Sequence, residues 1–283
     1  MATGVIVALL WGLPMPVAAA RAPVVVAAGD IACAESPCEP EQQTAALVEG
    51  IGPDAVLVLG DAQYPDGEYD DFLSSYHLTW GRFLGKTHPT PGNHEYNTDG
   101  ATGYFRYFGT RAHESRGGTY AFNLGEWHVV SINTGHGPPD ASLLDRVRRN
   151  LAWDRHQCEL AYWHHPAFSS GAEYGSIERM HELWAMLQQA GVDLALTGHE
   201  HSYERFARLD ATGAPDPSGM RQFVVGTGGA KLYPIGARIL GSQRRIDDRH
   251  GVLRLRLRPR SYIWEFVAVD GSILDSGRTE CHG

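Results

Sequence analysis

The chain is predicted to fold as an α/β domain built on parallel strands, and two observations carry this expectation. Short apolar runs repeatedly stop at polar motifs rich in Gly, Asp and His, and stretches of helical composition separate those runs. Strand, crossover helix and strand in succession make a parallel sheet. Its 283 residues, 43% hydrophobic and 20% charged, have the composition of an ordinary packed domain rather than of a disordered or fibrous chain. There is no low-complexity linker and no repeat at solenoid spacing, so residues 21–283 are expected to form a single domain.

The elements follow in order. An apolar stretch from Val5 to Trp11 leads through Pro14 and Pro16 to Val17-Ala18-Ala19-Ala20, the pattern of a signal-peptide h-region and an A-x-A cleavage site. Residues 1–20 are therefore expected to be a leader, and the mature protein to be secreted, periplasmic or extracellular. The absence of Lys or Arg before Arg21 leaves a later start or a lipid-buried anchor as alternatives. Gly12 and the two prolines interrupt this stretch too early for a membrane span, and no later stretch is long and apolar enough.

Residues 22–28 read as a buried β-branched strand running into Gly29-Asp30, 42–50 as a helix, and 55–59 as a second strand running into Gly60-Asp61. The alternation resumes with a strand at 127–133 and an amphipathic helix at 141–153. A strand at 158–163 then enters His164-His165-Pro166, a helix covers 177–190, and a strand at 192–196 enters Gly198-His199-Glu200-His201. The tail at 221–225 and 252–269 reads as antiparallel hairpins. Within it Arg254, Arg256 and Arg258 alternate with Leu253, Leu255 and Leu257, as on a strand with one apolar and one solvated face.

Charge and cysteine content narrow the class. A net charge of -9 repels nucleic acid and anionic membrane, so no specific nucleic-acid partner is expected. Four cysteines form an even set that favours disulfides in an exported chain. Three pairings are possible; Cys33 and Cys38 bracket a short loop that could close on itself, leaving Cys158 for Cys281. A four-thiolate zinc site lacks its paired C-x2-C spacing here.

Five motifs carry the chemistry: Gly29-Asp30, Gly60-Asp61-Ala62-Gln63-Tyr64, Gly92-Asn93-His94-Glu95, His164-His165-Pro166 and Gly198-His199-Glu200-His201. One Gly-Asp pair at a strand end reads as a turn. Four of these motifs, however, end strands of one α/β array, whose carboxyl ends are where ligands bind. Carboxylate, amide oxygen and imidazole without cysteine suit a borderline divalent ion or Fe(III).

In the order D, GDxxY, GNHE, HxP and GHxH, these residues resemble the calcineurin-like metallophosphoesterases. The closing Gly198-His-Glu-His-Ser-Tyr-Glu-Arg205 resembles the purple acid phosphatase branch in particular. The resemblance implies a four-layer α/β/β/α sandwich of two mixed sheets with helices outside. It implies two metal ions: Asp30, Tyr64 and His201 around the first, Asn93, His164 and His199 around the second, and Asp61 bridging. Many members of the wider family carry Asp-x-His at the first motif, whereas Ala32 stands there in this chain, with Tyr64 the replacement expected of the purple branch. A phenolate is a hard anionic donor, so Fe(III) is expected at the first site, with Zn, Fe or Mn at the second.

The activity implied is hydrolysis of a small phosphorylated substrate by a hydroxide shared between the two ions. Phosphomonoesters are the expected class; a phosphodiesterase using the same site and a non-catalytic metal-binding protein are the alternatives. His94 is expected to stabilise or protonate the leaving oxygen, with His165 and Tyr174 as further substrate contacts beside Asn93. Some relatives place a histidine about nine residues past the HxP histidine, where this chain has Glu173 and Tyr174. Glu95 and Glu204 are expected to orient histidines or form ion pairs. Tyr104, Phe105, Tyr107 and Phe108 are candidates either for an aromatic leaving-group pocket or for packing, and Gly226-Thr227-Gly228-Gly229 for a tight turn. No G-x-S-x-G elbow supports a serine hydrolase.

Overall fold

Two mixed β-sheets packed face to face, with helices outside each, make up the computed structural model, which describes residues 1, 21–33, 36–153 and 156–282. Residues 2–20 of the expected leader lie outside the described residues. In the first sheet β1 (Val24–Ala28), β2 (Ala55–Leu59) and β3 (Thr87–Thr90) run parallel. α1 (Glu39–Ile51) makes the crossover from β1 to β2. Pro40 sits at its start, where an amide hydrogen is dispensable, and Gly52 ends it in the left-handed conformation at φ 60°, donating to Val48 O. After α2 (Tyr69–Ser74) and β3, α3 (Thr102–Phe108) leads to the second sheet.

That sheet begins with β4 (Tyr120–Leu124) and β5 (Trp127–Ser131), followed by α4 (Ala141–Trp153), β6 (Cys158–Tyr162), α5 (His181–Gln189) and β7 (Leu194–Thr197). β5, β6 and β7 are parallel. β8 (Tyr203–Leu209), β9 (Met220–Val225) and β10 (Ser242–Ile246) complete it in the order β10-β8-β9-β7-β6-β5-β4. The chain then returns to the first sheet as β11 (Gly251–Arg258), β12 (Ser261–Ala268) and β13 (Ile273–Glu280), giving β13-β12-β11-β1-β2-β3.

Successive side chains along a strand face opposite ways, and the second sheet divides them between two cores. Val129, Leu160, Leu194 and Phe223 enter the core between the sheets; Val130, Ala161, Ala195 and Val224 enter the one under α4 and α5. Strands buried on both faces read as continuous apolar runs, which is why β5, β6 and β7 were legible. On β11, Leu253, Leu255 and Leu257 are buried as the alternation predicts.

One sequence expectation is corrected. β9 is not a hairpin partner of the tail strands: it lies in the second sheet, parallel to β7 and antiparallel to β8, whereas β11 and β12 pair in the first. Its apolar run is that of a central strand buried on both faces, and local sequence does not say which sheet it joins. The aromatic group of α3 is resolved in favour of packing. Tyr104, Phe105 and Phe108 are buried, and Tyr107 stacks on Phe72 with centroids 4.7 Å apart.

Candidate metal centre

Five strand ends deliver the five motifs to one place. Asp30 follows β1, Asp61 and Tyr64 follow β2, Asn93 and His94 follow β3, His164 follows β6, and His199 and His201 follow β7. The sheets are joined there, Gly29 N donating to Val225 O at 2.9 Å and His199 N to Asp30 Oδ2 at 2.9 Å. Close approach needs glycine beside the carboxylates. A Cβ on Gly92 would lie 2.1 Å from Asp61 Oδ1, and one on Gly198 2.6 Å from Asp30 Oδ2.

The donor atoms fall into two groups that share a carboxylate. Tyr64 Oη lies 3.0 Å from Asp30 Oδ1 and 2.9 Å from His201 Nε2, which are themselves 3.3 Å apart. On the other side, His164 Nε2 and His199 Nδ1 are 3.3 Å apart, and their donor atoms lie within 4.8 Å of that of Asp61. Asp61 Oδ2 stands between the groups, 3.2 Å from Tyr64 Oη and 3.1 Å from His164 Nε2. Asn93 Oδ1 is shielded from solvent without a hydrogen-bond partner. An orphaned amide oxygen and imidazole nitrogens turned toward one another fit cations, because buried donors without partners are otherwise costly. The Tyr64 group is oxygen-rich, as a hard ion requires, and the His164 group nitrogen-rich.

A surrounding layer fixes these atoms. His164 Nδ1 donates to Leu59 O at 2.8 Å and His201 Nδ1 to Lys231 O at 2.7 Å, which turns each Nε2 inward. Asp30 and Asp61 each spend one oxygen on a neighbouring loop, His199 N and His94 N respectively, and turn the other to the centre. The Glu95 carboxylate accepts four backbone N–H bonds, from Asp61, Ala62, Gln63 and Gly92, at 2.7 to 3.2 Å. It thus ties two ligand loops together. This replaces the expected role in orienting a histidine, and Glu204 likewise receives Ser170 N and the hydroxyls of Ser169 and Ser170.

The electrostatics are those of a buried anionic nest. Burial opposes charge on Asp61, but His164 beside it holds the carboxyl well below the usual carboxylate range. Burial also opposes charge on His164, and the carboxylates of Asp61 and Asp30 overcome it, lifting the imidazole to about 9. His199, buried and facing His164, is pushed down to about 3. Burial, and then the charges of Asp30 and Asp61, hold the Tyr64 phenol well above its ordinary range. Burial and Asp61 likewise raise Glu95 to about 7.

The expected substrate contacts are placed unequally. His94 lies at the edge, with Nδ1 2.5 Å from Pro65 O and Nε2 3.9 Å from Asp61 Oδ2. Tyr174 is 47% exposed and stacks on His199. His165 is buried at 1% exposure, packed on His164 and His199 with Nδ1 3.2 Å from Thr134 Oγ1. Two features went unread in sequence, Tyr233 stacked on His201 and Glu200 holding the Tyr174 loop through Tyr174 N. Tyr233 follows no motif and had no local signal. Glu200 stood within GHxH, but its partners are distant in sequence. Gly228 and Gly229 pack on Gly29 O and Ile31 O, as in a close-packed turn.

A four-layer sandwich of two mixed sheets, with paired carboxylates and imidazoles at their joined ends, defines the metallophosphoesterase class. Residues 24–203 match the family model of the calcineurin-like phosphoesterases, and the chain belongs to that family. It is 30% identical over 214 residues to purple acid phosphatase 15 of Arabidopsis thaliana, covering 62% of this chain and 40% of that protein. Among solved structures, it is similar to the purple acid phosphatase PPD1 from yellow lupin (Lupinus luteus) seeds, with TM-score 0.75 and 18% identity over 91% of this chain and 53% of that one. It also resembles GAP50, the anchor in the inner membrane complex of Plasmodium, with TM-score 0.68 and 13% identity over 93% and 90%. The chain thus spans about half or less of the purple acid phosphatases it matches.

Proposed function

We propose that this chain is a metal-dependent phosphatase that hydrolyses small phosphomonoesters. The observation that carries the reading is the position of Asp61 Oδ2 between an oxygen-rich and a nitrogen-rich donor group. Asp30, Tyr64 and His201 would hold one ion, with Fe(III) favoured by the phenolate. Asn93, His164 and His199 would hold the other, with Zn, Fe or Mn suited to it, and Asp61 would bridge. Such a pair supplies Lewis acidity, lowering the pKa of water and neutralising phosphoryl charge.

The chain's own residues do the rest. His94, its Nδ1 engaged by Pro65 O, presents Nε2 beside Asp61, where it can give a proton to the leaving oxygen. Asn93 offers its amide to the phosphoryl group. Tyr174, at the rim, can donate a hydrogen bond where some relatives place histidine, without the repulsion that an ionised Glu173 would bring. Two disulfides fit export to an oxidising compartment, and residues 21–283 fit one catalytic domain behind a leader.

The test is to strip metal with a chelator, then restore it while following p-nitrophenyl phosphate hydrolysis. Activity is expected to vanish and return, and Asp61→Asn to lose bound metal together with at least about a hundredfold in rate while remaining folded. Full turnover by Asp61→Asn would overturn the bridging role. Faster cleavage of bis-p-nitrophenyl phosphate would instead make the protein a diesterase. Background hydrolysis throughout would favour a binding protein, the kind of role that GAP50's description as an anchor exemplifies.

A further inference from the structure

The mouth of the centre is edged by two tyrosines. Tyr174 stacks on His199 with centroids 4.3 Å apart and planes 27° apart, and Tyr233 lies nearly flat on His201 at 4.0 Å and 8°. The two phenols meet edge to face at 6.1 Å. Their loops are zipped together, Ala172 N donating to Pro234 O at 3.0 Å and Gly236 N to Ser170 O at 2.7 Å. Each is also tied to the GHxH motif, Tyr174 N to Glu200 Oε1 at 2.7 Å and Tyr233 N to His201 O at 3.0 Å. The rings are therefore held before any ligand arrives, so little ordering remains to oppose binding.

Tyr174 nonetheless leaves 47% of its surface in water, unlike the buried aromatic group of α3. One of its faces is occupied by His199. A rigid aromatic ring, partly bare and set beside a phosphoryl-binding centre, is a stacking platform for a planar group. Nothing in this arrangement would favour a small alkyl group to the same degree, because an alkyl chain covers less ring and gains no offset stacking.

We propose that Tyr174, braced by Tyr233, selects phosphomonoesters whose leaving group is an aromatic ring. This rests on the phosphoester reading above and names its substrate class. Tyr174 is then a specificity-determining residue, and Tyr233 acts through it as a positioning residue.

Binding of phenylphosphonate and methylphosphonate to the metal-loaded full chain, measured by calorimetry, tests the inference without turnover, since neither probe can be hydrolysed. The wild type is expected to prefer the phenyl compound by about tenfold or more, equivalent to about 1.4 kcal/mol. Tyr174→Ala should lower that preference about tenfold, Tyr174→Phe should keep it, and Tyr233→Ala should lower it in part. With esters, Tyr174→Ala should raise KM for phenyl phosphate more than for glycerol phosphate. An unaltered preference in Tyr174→Ala, an equal fall in Tyr174→Phe, or a wild type that binds neither probe overturns the proposal. Aryl preference without hydrolysis of either ester would sink the hydrolase reading and leave aryl selection supported.

Discussion

Asp30, Asp61 and His199 hold left-handed backbone angles, φ 58°, 47° and 70°, which side-chain-bearing residues seldom adopt. Such conformations cost on the order of 1–3 kcal/mol each and persist where surrounding bonds over-determine them. Here the bonds are those that the proposed ligands make to one another's loops, so geometry at each of them depends on the rest of the set. Tyr64 allows a donor to be tested alone, because its ring also packs on His94 at 4.3 Å, a contact that Phe would retain. If Tyr64 holds Fe(III) as proposed, Tyr64→Phe should abolish a visible charge-transfer band and lower bound iron, while metal at the proposed His164 group persists. An unchanged spectrum in that variant would remove the phenolate assignment. His88 makes a separate prediction, on stability. Burial first, and then the charge of Arg111 and the neighbouring His113, lower its pKa from 6.5 to about 4. The folded state therefore binds fewer protons than the unfolded one between those values, so this stabilisation is complete above about pH 6.5 and is lost as pH falls toward 4. The full term is about 3 kcal/mol at 1.36 kcal/mol per unit. His88→Phe keeps the stacking on Phe122 and should flatten urea-derived stability across this window; an unaltered slope would contradict it.

At the scale of elements, legibility followed burial. β1, β2, β6 and β7 announced themselves because both faces are covered, and four of the five motifs could be placed at strand ends on that basis. β3 escaped. Its sequence Thr87-His88-Pro89-Thr90 has neither an apolar run nor alternation, and it is an edge strand, where proline is tolerated. The third motif was consequently found by its residues and not by its place. β13 is also an edge strand, half exposed and without a buried face in its pattern. The cradle made by Glu95 was illegible for a different reason: three of its four amide partners lie more than thirty residues away, joined only when β2 and β3 pair. It yields a prediction about that junction. Each Glu95 oxygen accepts two N–H donors, whereas glutamine presents one oxygen and an amino group that faces donors. Glu95→Gln should leave two buried N–H groups unsatisfied, at about 1–3 kcal/mol each, and loosen Asp61 against Asn93. Calorimetry with elemental analysis should show both a lower Tm and less bound metal; a normal metal content would limit Glu95 to a packing role.

For the molecule as a whole, stability and the centre are anchored at opposite ends of the sheets. Cys158 opens β6 in the second sheet, at the end away from His164, and Cys281 follows β13 in the first. Their bond closes a separation of 123 residues and joins the two layers, alongside Trp127 Nε1 donating to Arg258 O at 2.7 Å. Loop-closure entropy for so long a loop gives about 5 kcal/mol as an upper figure, with 2–5 kcal/mol usual on removing a native bridge. Cys33–Cys38 closes only a five-residue separation, a smaller term, but it begins three residues after Asp30. The two bridges should therefore fail differently. Cys158→Ser with Cys281→Ser should lower Tm by roughly 5–15 °C, at about 2–4 °C per kcal/mol for a chain of this size, and leave bound metal per folded molecule unaltered. Cys33→Ser with Cys38→Ser should lower Tm less and metal affinity more, because it frees the loop that carries Asp30. Calorimetry on both double variants, with metal content measured after gel filtration, decides the matter. If removing the long-range bridge empties the centre while the fold survives, the two sheets are not held independently of their ligands.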